Sequence, residues 1–236
     1  MNWQAKLDAE GYAIVKNVLD EATVNQLCEK CDVQDEKPHI RRRAAVYGIR
    51  NLLDEVPEVR ALAKSAAVRA VVEPVLGKTA FCARGIFYDK PADANWQVPW
   101  HQDLAIAVAE REEDVPEFTV WSLKAGVHHV QPPAGLLERM LTVRLHLDDA
   151  GKDNGALQVL VGSHREGRMD AAAVRAWRKT HEPVYCEAAA GDAMVMRPLL
   201  LHASDHADHA LHRRVIHLEF AAEDLPAPLE WHERVK

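Results

Sequence analysis

The stretch Pro99-Trp100-His101-Gln102-Asp103 holds the residue types of a metal site at close spacing. In an extended strand, residues two apart project to one face, so the His101 imidazole and the Asp103 carboxylate would converge on one point. One neutral nitrogen and one anionic oxygen supply two of the three donors of a 2-His-1-carboxylate centre for ferrous iron. A candidate third donor is His202, at the end of the apolar run Met194 to Leu201. Ser204 follows on the same strand face, and Arg213-Arg214 opens the next apolar stretch after a short polar loop. Antiparallel strands joined by that loop would bring Arg213 up to Ser204 and His202. A guanidinium placed there clamps a carboxylate in bidentate fashion, with the hydroxyl as a further donor. A dicarboxylic acid could thus chelate a metal at one end and be held by Arg213 and Ser204 at the other. Strand parity alone does not separate Arg213 from Arg214, because either face of the following strand could point inward.

The elements that position these residues fall into two halves. Asp20 is of a residue type that N-caps the helix expected over 21–27, Gly11 closes a short helix before it, and Tyr12 to Val15 is β-rich. Asn51 to Leu76 carries the 3.6-residue apolar spacing of helices, ended by Gly77. From residue 79 short β-rich runs follow one another at 80–88, 98–105, 140–147, 156–161, 184–187, 192–197, 199–204 and 213–220, with one helix at 170–179. Many short strands separated by turns predict a sandwich, jelly roll or barrel. Leu141, Val143, Leu145 and Leu147 alternate with Thr142, Arg144 and His146, so this strand has one apolar and one polar face. The expected organisation is one domain over 1–236: a helical part at about 1–78, a jelly-roll core at about 79–222, and a lid-like loop insertion at about 106–139.

Composition narrows the function. The 236 residues are 48% apolar, enough for a sizeable core, and the net charge of −7 lacks the basic footprint of a nucleic-acid binder. There is no apolar run long enough to span a membrane and no signal pattern at the start, so the expectation is a soluble, cytoplasmic protein with no membrane partner. Cys28-Glu-Lys-Cys31 is formally C-x-x-C but reads as two ordinary thiols on a helix. Arg41-Arg42-Arg43 reads as a solvated loop in an acidic chain. His202, His206, His209 and His212 have a spacing that could suggest zinc, but the loop composition between them argues against a helix, and the last three are expected to be exposed.

Together, PWHQD (99–103), NGALQVLVGSHREG (154–167), His202-Ala203-Ser204 and Arg213 resemble the phytanoyl-CoA dioxygenase family of iron(II)/2-oxoglutarate oxygenases. The opening GYAIVKNVLDEATVNQL (11–27) is similar to the family's usual start, so the resemblance runs from about residue 8 to about residue 221. Val161 and Ala156 depart from prolines common in the family, away from the proposed chemistry. The resemblance implies a double-stranded β-helix, the jelly-roll barrel, with helices outside one sheet. It implies His101, Asp103 and His202 as ligands of Fe(II), and Arg213 with Ser204 as the clamp for the distal carboxylate of 2-oxoglutarate. It gives His164 a mainly structural role in its turn. It also implies consumption of O2, release of succinate and CO2, and hydroxylation of an unactivated C–H bond. Because the acidic chain offers little for an acyl-CoA, a small organic molecule is the expected substrate.

Candidate pocket residues on the strands or in the insertion are Arg84, Phe87, Tyr88, Trp100, Gln102, Trp121, Arg144, His146 and Gln158, with Tyr88 and Gln158 as candidate neighbours of cosubstrate or substrate. His128-His129 is read as a pair of loop histidines that could approach a substrate. Two other readings stay open. One is a cupin-like isomerase or hydrolase using the same ligands; the other is a catalytically silent barrel serving as a binding module.

Overall fold

Caps and glycines set the helices of the first half. The computed structural model describes residues 2–32, 37, 39–42, 46–90, 95–207 and 212–236. The Asn2 side chain accepts from Ala5 N at the head of α1 (Trp3–Glu10), and Asp20 accepts from Thr23 N at the head of α2 (Glu21–Cys31). Gly11 ends α1 in the left-handed region at φ 87°, where a Cβ would sit 2.5 Å from the His164 Nδ1. That contact gives His164 its structural place. The periodic stretch 51–76 is three helices, α3 (Leu52–Glu55), α4 (Pro57–Ala63) and α5 (Ala66–Leu76), the middle one opened by a proline at its first turn.

The strands run β1 (Tyr12–Val15), β2 (Ile40–Arg42), β3 (Val46–Ile49), β4 (Phe81–Tyr88), β5 (Val98–His101), β6 (Ile106–Val108), β7 (Thr119–Lys124) and β8 (Val127–Gln131). After α6 (Ala134–Glu138) come β9 (Leu141–His146) and β10 (Leu157–Val159). After α7 (Ala171–Thr180) come β11 (Val184–Cys186), β12 (Ala193–Met196), β13 (His202–Ser204) and β14 (Val215–Ala221). They form a seven-stranded sheet in the order β1-β12-β9-β14-β4-β3-β2 and a four-stranded sheet in the order β11-β10-β13-β5. The two lie face to face as a jelly roll, with Tyr12, Met194 and Met196 of the larger sheet packed against Leu157, Val159 and Cys186 of the smaller.

Alternation then decides what each face does. Leu141, Val143 and Leu145 of β9 join Ile216, Leu218 and Phe220 of β14 in the core under α1 to α5. Their polar neighbours Thr142, Arg144 and His146, with His217 and Glu219, are therefore turned into the space between the sheets, where all are buried.

Two expectations need correction. The 106–139 insertion is not a loop: β6-β8-β7 form a separate three-stranded sheet, which with α6 shares a core containing Ile106, Val130 and Leu137. The strand expected at Tyr12 to Val15 is β1, and with β2 and β3 it joins the large sheet beside the helices of this half. Arg41 corrects the reading of its basic run, for it lies on β2 paired with Gly48; Arg43 and His209 lie outside the described residues. The two thiols of Cys28 and Cys31 are pushed up chiefly by burial, Cys31 to about 12, as expected of inert helix cysteines.

Candidate active site

Pairing of β5 with β13 sets His202 directly opposite His101, with ring centroids 4.2 Å apart. Asp103 lies two residues on, beyond the end of β5, where its backbone N–H donates to the Pro198 carbonyl at 2.9 Å. The H-x-D pair therefore converges on one point although Asp103 stands just past the end of β5. The Asp103 carboxylate stands 3.9 Å from His101 Nε2 and 3.8 Å from His202 Nε2, and one donor atom from each residue falls within 4.8 Å of the others.

Each imidazole is oriented from behind. His101 Nδ1 lies 2.8 Å from the Pro99 carbonyl, and His202 Nδ1 lies 2.9 Å from the Leu200 carbonyl. A carbonyl can only accept, so Nδ1 carries the proton and the Nε2 lone pair faces the shared centre. Burial pushes His202 down to about 4, which keeps it in the neutral, ligating form at neutral pH. Burial raises the Asp103 carboxyl, but the imidazoles of His202, His217 and His101 and the Arg84 guanidinium outweigh it and hold the group ionised. Its Oδ2 is buried without a hydrogen-bond partner. An unsatisfied carboxylate oxygen between two correctly turned imidazoles fits a divalent cation.

Gln102 points the opposite way and fixes this turn. Its amide donates to the Gly167 and Leu199 carbonyls at 2.8 and 2.6 Å and accepts from Met169 N at 2.8 Å. Replacing it with leucine leaves three backbone groups unpaired, of which the Leu199 carbonyl is buried. Gln102→Leu is expected to lower stability by roughly 2–3 kcal/mol in urea unfolding and to weaken Mn(II) binding about tenfold or more. Unchanged metal affinity in a folded variant would remove Gln102 from the positioning of Asp103.

A cavity of about 130 Å³ adjoins the three candidate ligands, lined by Tyr88, Arg144, Ser204, Arg213 and His217 among others. Arg213 is its buried end: Nη1 donates to the Gly155 carbonyl at 2.5 Å, and Nε has no partner. Asp89 seats this arginine by accepting from its backbone N–H at 3.0 Å, while its other oxygen lies 2.6 Å from His212 Nδ1. Arg214 faces outward in a two-point ion pair with Asp148, so the parity left open by the sequence resolves in favour of Arg213. Arg144 touches His217 Nδ1 at 3.0 Å, its Nε also unpartnered. His217 in turn approaches Glu219, which is ion-paired with Arg84.

Lys90, which no periodicity in the sequence singles out, is 0% exposed and donates to Ser204 Oγ at 3.0 Å and to the Asp205 carbonyl at 2.6 Å. Burial, and then the neighbouring Arg213, push its amine down to about 7. Arg213 and Arg144 thus line one cavity, with Lys90 behind its Ser204, and none of the three has an ion-pair partner among the described residues. The arrangement can accept a small dianion.

Gln158 does not belong to this cavity. It pairs with Ala203 on the outer face of the smaller sheet, donates to the Asp205 carboxylate and lines a different depression with Trp100. A three-residue strand is too short to set its own parity from sequence. Phe87 packs under the helices, Trp121 against the core of the small third sheet, and His129 is buried with Nδ1 3.0 Å from the Val127 carbonyl. His146 faces inward, both ring nitrogens unpartnered, and burial pushes it down to about 3. His206 and His212 are exposed as expected, each held through Nδ1, to the Asn95 carbonyl and to Asp89 respectively.

The pattern of the phytanoyl-CoA dioxygenase (PhyH) family matches residues 7–215. Among solved structures, AviO1 from Streptomyces viridochromogenes Tue57 is 22% identical, with 95% of this chain and 97% of that chain covered and a TM-score of 0.67. EctD from S. alaskensis with 2-oxoglutarate and 5-hydroxyectoine is 18% identical over 92% of this chain and 74% of that chain, TM-score 0.69. The epimerase SnoN in complex with Fe3+, alpha ketoglutarate and nogalamycin RO is 18% identical over 96% and 90%, TM-score 0.69. At these identities the likeness is one of fold. No curated protein matches the chain.

Proposed function

Because the chain belongs to the phytanoyl-CoA dioxygenase family, we propose that it is an iron(II)- and 2-oxoglutarate-dependent oxygenase that hydroxylates a C–H bond of a small organic molecule. The observation that carries the reading is the juxtaposition of the His101, Asp103 and His202 donor atoms with a cavity that ends in the buried, unpaired Arg213. Iron bound there would supply activation of dioxygen coupled to decarboxylation of the 2-oxo acid. The chain's own residues do the rest. His101, Asp103 and His202 present one face of donors and leave the other open. Arg213, with Ser204 and Lys90 beside it, holds the distal carboxylate of 2-oxoglutarate, and the buried walls keep water from it. Hydroxylation asks least of the chain, since it needs a substrate C–H bond held in place and no further acid, base or hydrogen donor.

Relatives of this fold differ in outcome: EctD is recorded with a hydroxylated compound, SnoN is an epimerase and SnoK a carbocyclase. The deciding experiment is succinate release from 2-oxoglutarate under air with Fe(II), followed by product mass in ¹⁸O₂. Gain of one labelled oxygen supports hydroxylation. Succinate with a product of unlabelled, altered connectivity would overturn hydroxylation and keep the class; absence of 2-oxoglutarate binding to metal-loaded protein would overturn both.

Lys90 supplies a pH signature. Its amine is depressed to about 7 from an ordinary 10.5, so between those values the unfolded chain binds the extra proton and stability without cosubstrate rises with pH. A bound dianion favours the protonated amine, so 2-oxoglutarate affinity should instead fall as pH rises above about 7. Lys90→Met is expected to raise the Tm of the ligand-free protein at pH 7, weaken 2-oxoglutarate roughly tenfold, and flatten both pH dependences. Calorimetric titration across pH 6–9 checks it, and an affinity that keeps its slope in the variant would remove Lys90 from cosubstrate binding.

A further inference from the structure

Beside the metal pocket lies a second cavity of about 300 Å³, lined by Arg41, Tyr47, Arg50, Ile86, Tyr88 and Trp96 among others. Tyr88 and Trp96 also line the metal pocket, so the two spaces share a wall. The larger one is built on the edge of the seven-stranded sheet. Arg41 of β2 pairs with Gly48 of β3, and Gly48 pairs with Tyr88 of β4, so this cross-strand row follows the face on which Tyr88 meets the metal pocket. Arg50 lies two residues beyond Gly48 and lines the same cavity.

The lining divides by chemistry. Tyr47 and Trp96 pack with ring centroids 5.7 Å apart and an interplanar angle of 57°, and with Ile86 they offer an angled apolar wall. Arg41 and Arg50 have no ion-pair partner among the described residues, although the chain as a whole carries a net charge of −7. Arg41 is exposed and Arg50 half-buried; burial pushes the Arg50 guanidinium down, Tyr88 opposes this, and the like charges of Arg41 and Arg84 add to it. Lys124, from the turn of the small third sheet, adds a further cation near Arg50, and that turn is tied down by Asn51 Nδ2 donating to the Ala125 carbonyl at 3.0 Å. Two guanidiniums without a carboxylate, facing an aromatic wall, are a site that lacks its anion.

Resting on the metal and cosubstrate reading above, we propose that this cavity binds the substrate, an organic acid whose carboxylate engages Arg50 and Arg41 while its flat apolar body lies against Tyr47 and Trp96. Its far end would then reach past Tyr88 toward His101 and Asp103. The volume suits a compact acid, at the lower bound of small-molecule pockets, and not a long thioester.

The test uses full-length protein loaded with Mn(II) and saturated with 2-oxoglutarate, titrated calorimetrically with benzoate, phenylacetate and 3-phenylpropanoate and with their primary amides. At least one acid is expected to bind tenfold or more tighter than its amide. Arg50→Gln should erase that difference, and Arg50→Lys, which keeps the charge, should retain part of it. Acids and amides that bind alike, no binding by any acid, or a preference that survives Arg50→Gln would each overturn the proposal. The same titrations on metal-free chain separate the two readings. A missing response to 2-oxoglutarate overturns the cosubstrate reading, while an acid preference abolished by Arg50→Gln still stands as evidence for the second cavity.

Discussion

Asp103→Ala should abolish succinate formation, with a fall of at least roughly a thousandfold. Loss of an outer partner of a metal ligand typically costs about ten- to hundredfold, and loss of the anionic ligand itself costs more. The same substitution should leave the metal-free protein as stable as before, or more so. In the absence of a cation, the carboxylate holds a buried oxygen with no partner beside His202, whose imidazole burial keeps neutral. An unsatisfied buried acceptor costs about 1–3 kcal/mol, which the alanine no longer carries. Mn(II) at a hundred times its Kd would stabilise the parent protein by about 2.7 kcal/mol and the variant hardly at all. Thermal unfolding with and without Mn(II), beside a succinate assay, reads both effects. A variant that keeps its metal-induced shift in Tm would show that Asp103 is not a ligand.

Arg213→Leu carries the second large effect. The guanidinium is buried, its Nε unpartnered and Nη1 held by the Gly155 carbonyl, with Ser204 nearby in the same cavity. Burial pushes it down to about 9, the direction expected of a cation waiting for an anion. Charge-assisted bonds are worth about 1.5–3 kcal/mol each, so losing a two-point contact should weaken 2-oxoglutarate at least roughly a hundredfold. Mn(II) affinity should stay within about twofold, because Arg213 touches none of the metal donors. Arg214→Leu is the matched control: it breaks the outward pair with Asp148, costs folding stability and spares 2-oxoglutarate. If the two arginines exchanged these outcomes, the inward assignment of Arg213 would be wrong.

Much of this site was legible before any coordinates. His101, Asp103, His202 and Ser204 are short-range spacing signals, Arg213 is preferred to Arg214 through the family resemblance, and the structure brings all five to one cavity. What alternation could not say is which face looks inward. Arg144 and His146 were polar neighbours on an apolar strand, and only the helices packed on Leu141, Val143 and Leu145 decide that the polar side is interior. Three-residue strands carry too few alternations, which is why Gln158 was misplaced. The third sheet escaped notice because β7 is largely exposed on both faces and its hairpin turns through Ala125 and Gly126, both at positive φ. Lys90 was illegible for a different reason. A buried lysine has the same local sequence context as a solvated one, and only tertiary neighbours tell them apart.

The cross-strand pairing of His101 with His202 also has a bearing on time. These residues are about a hundred positions apart in the chain, and among the described residues β5 is joined to its sheet through β13 alone. Contacts of such long sequence separation close late, after local helices and hairpins have formed. The cation can therefore be captured only by a chain whose roll has already shut. In refolding from urea, a Mn(II)-binding signal should lag the recovery of far-ultraviolet circular dichroism, making the metal a clock for the last step of assembly.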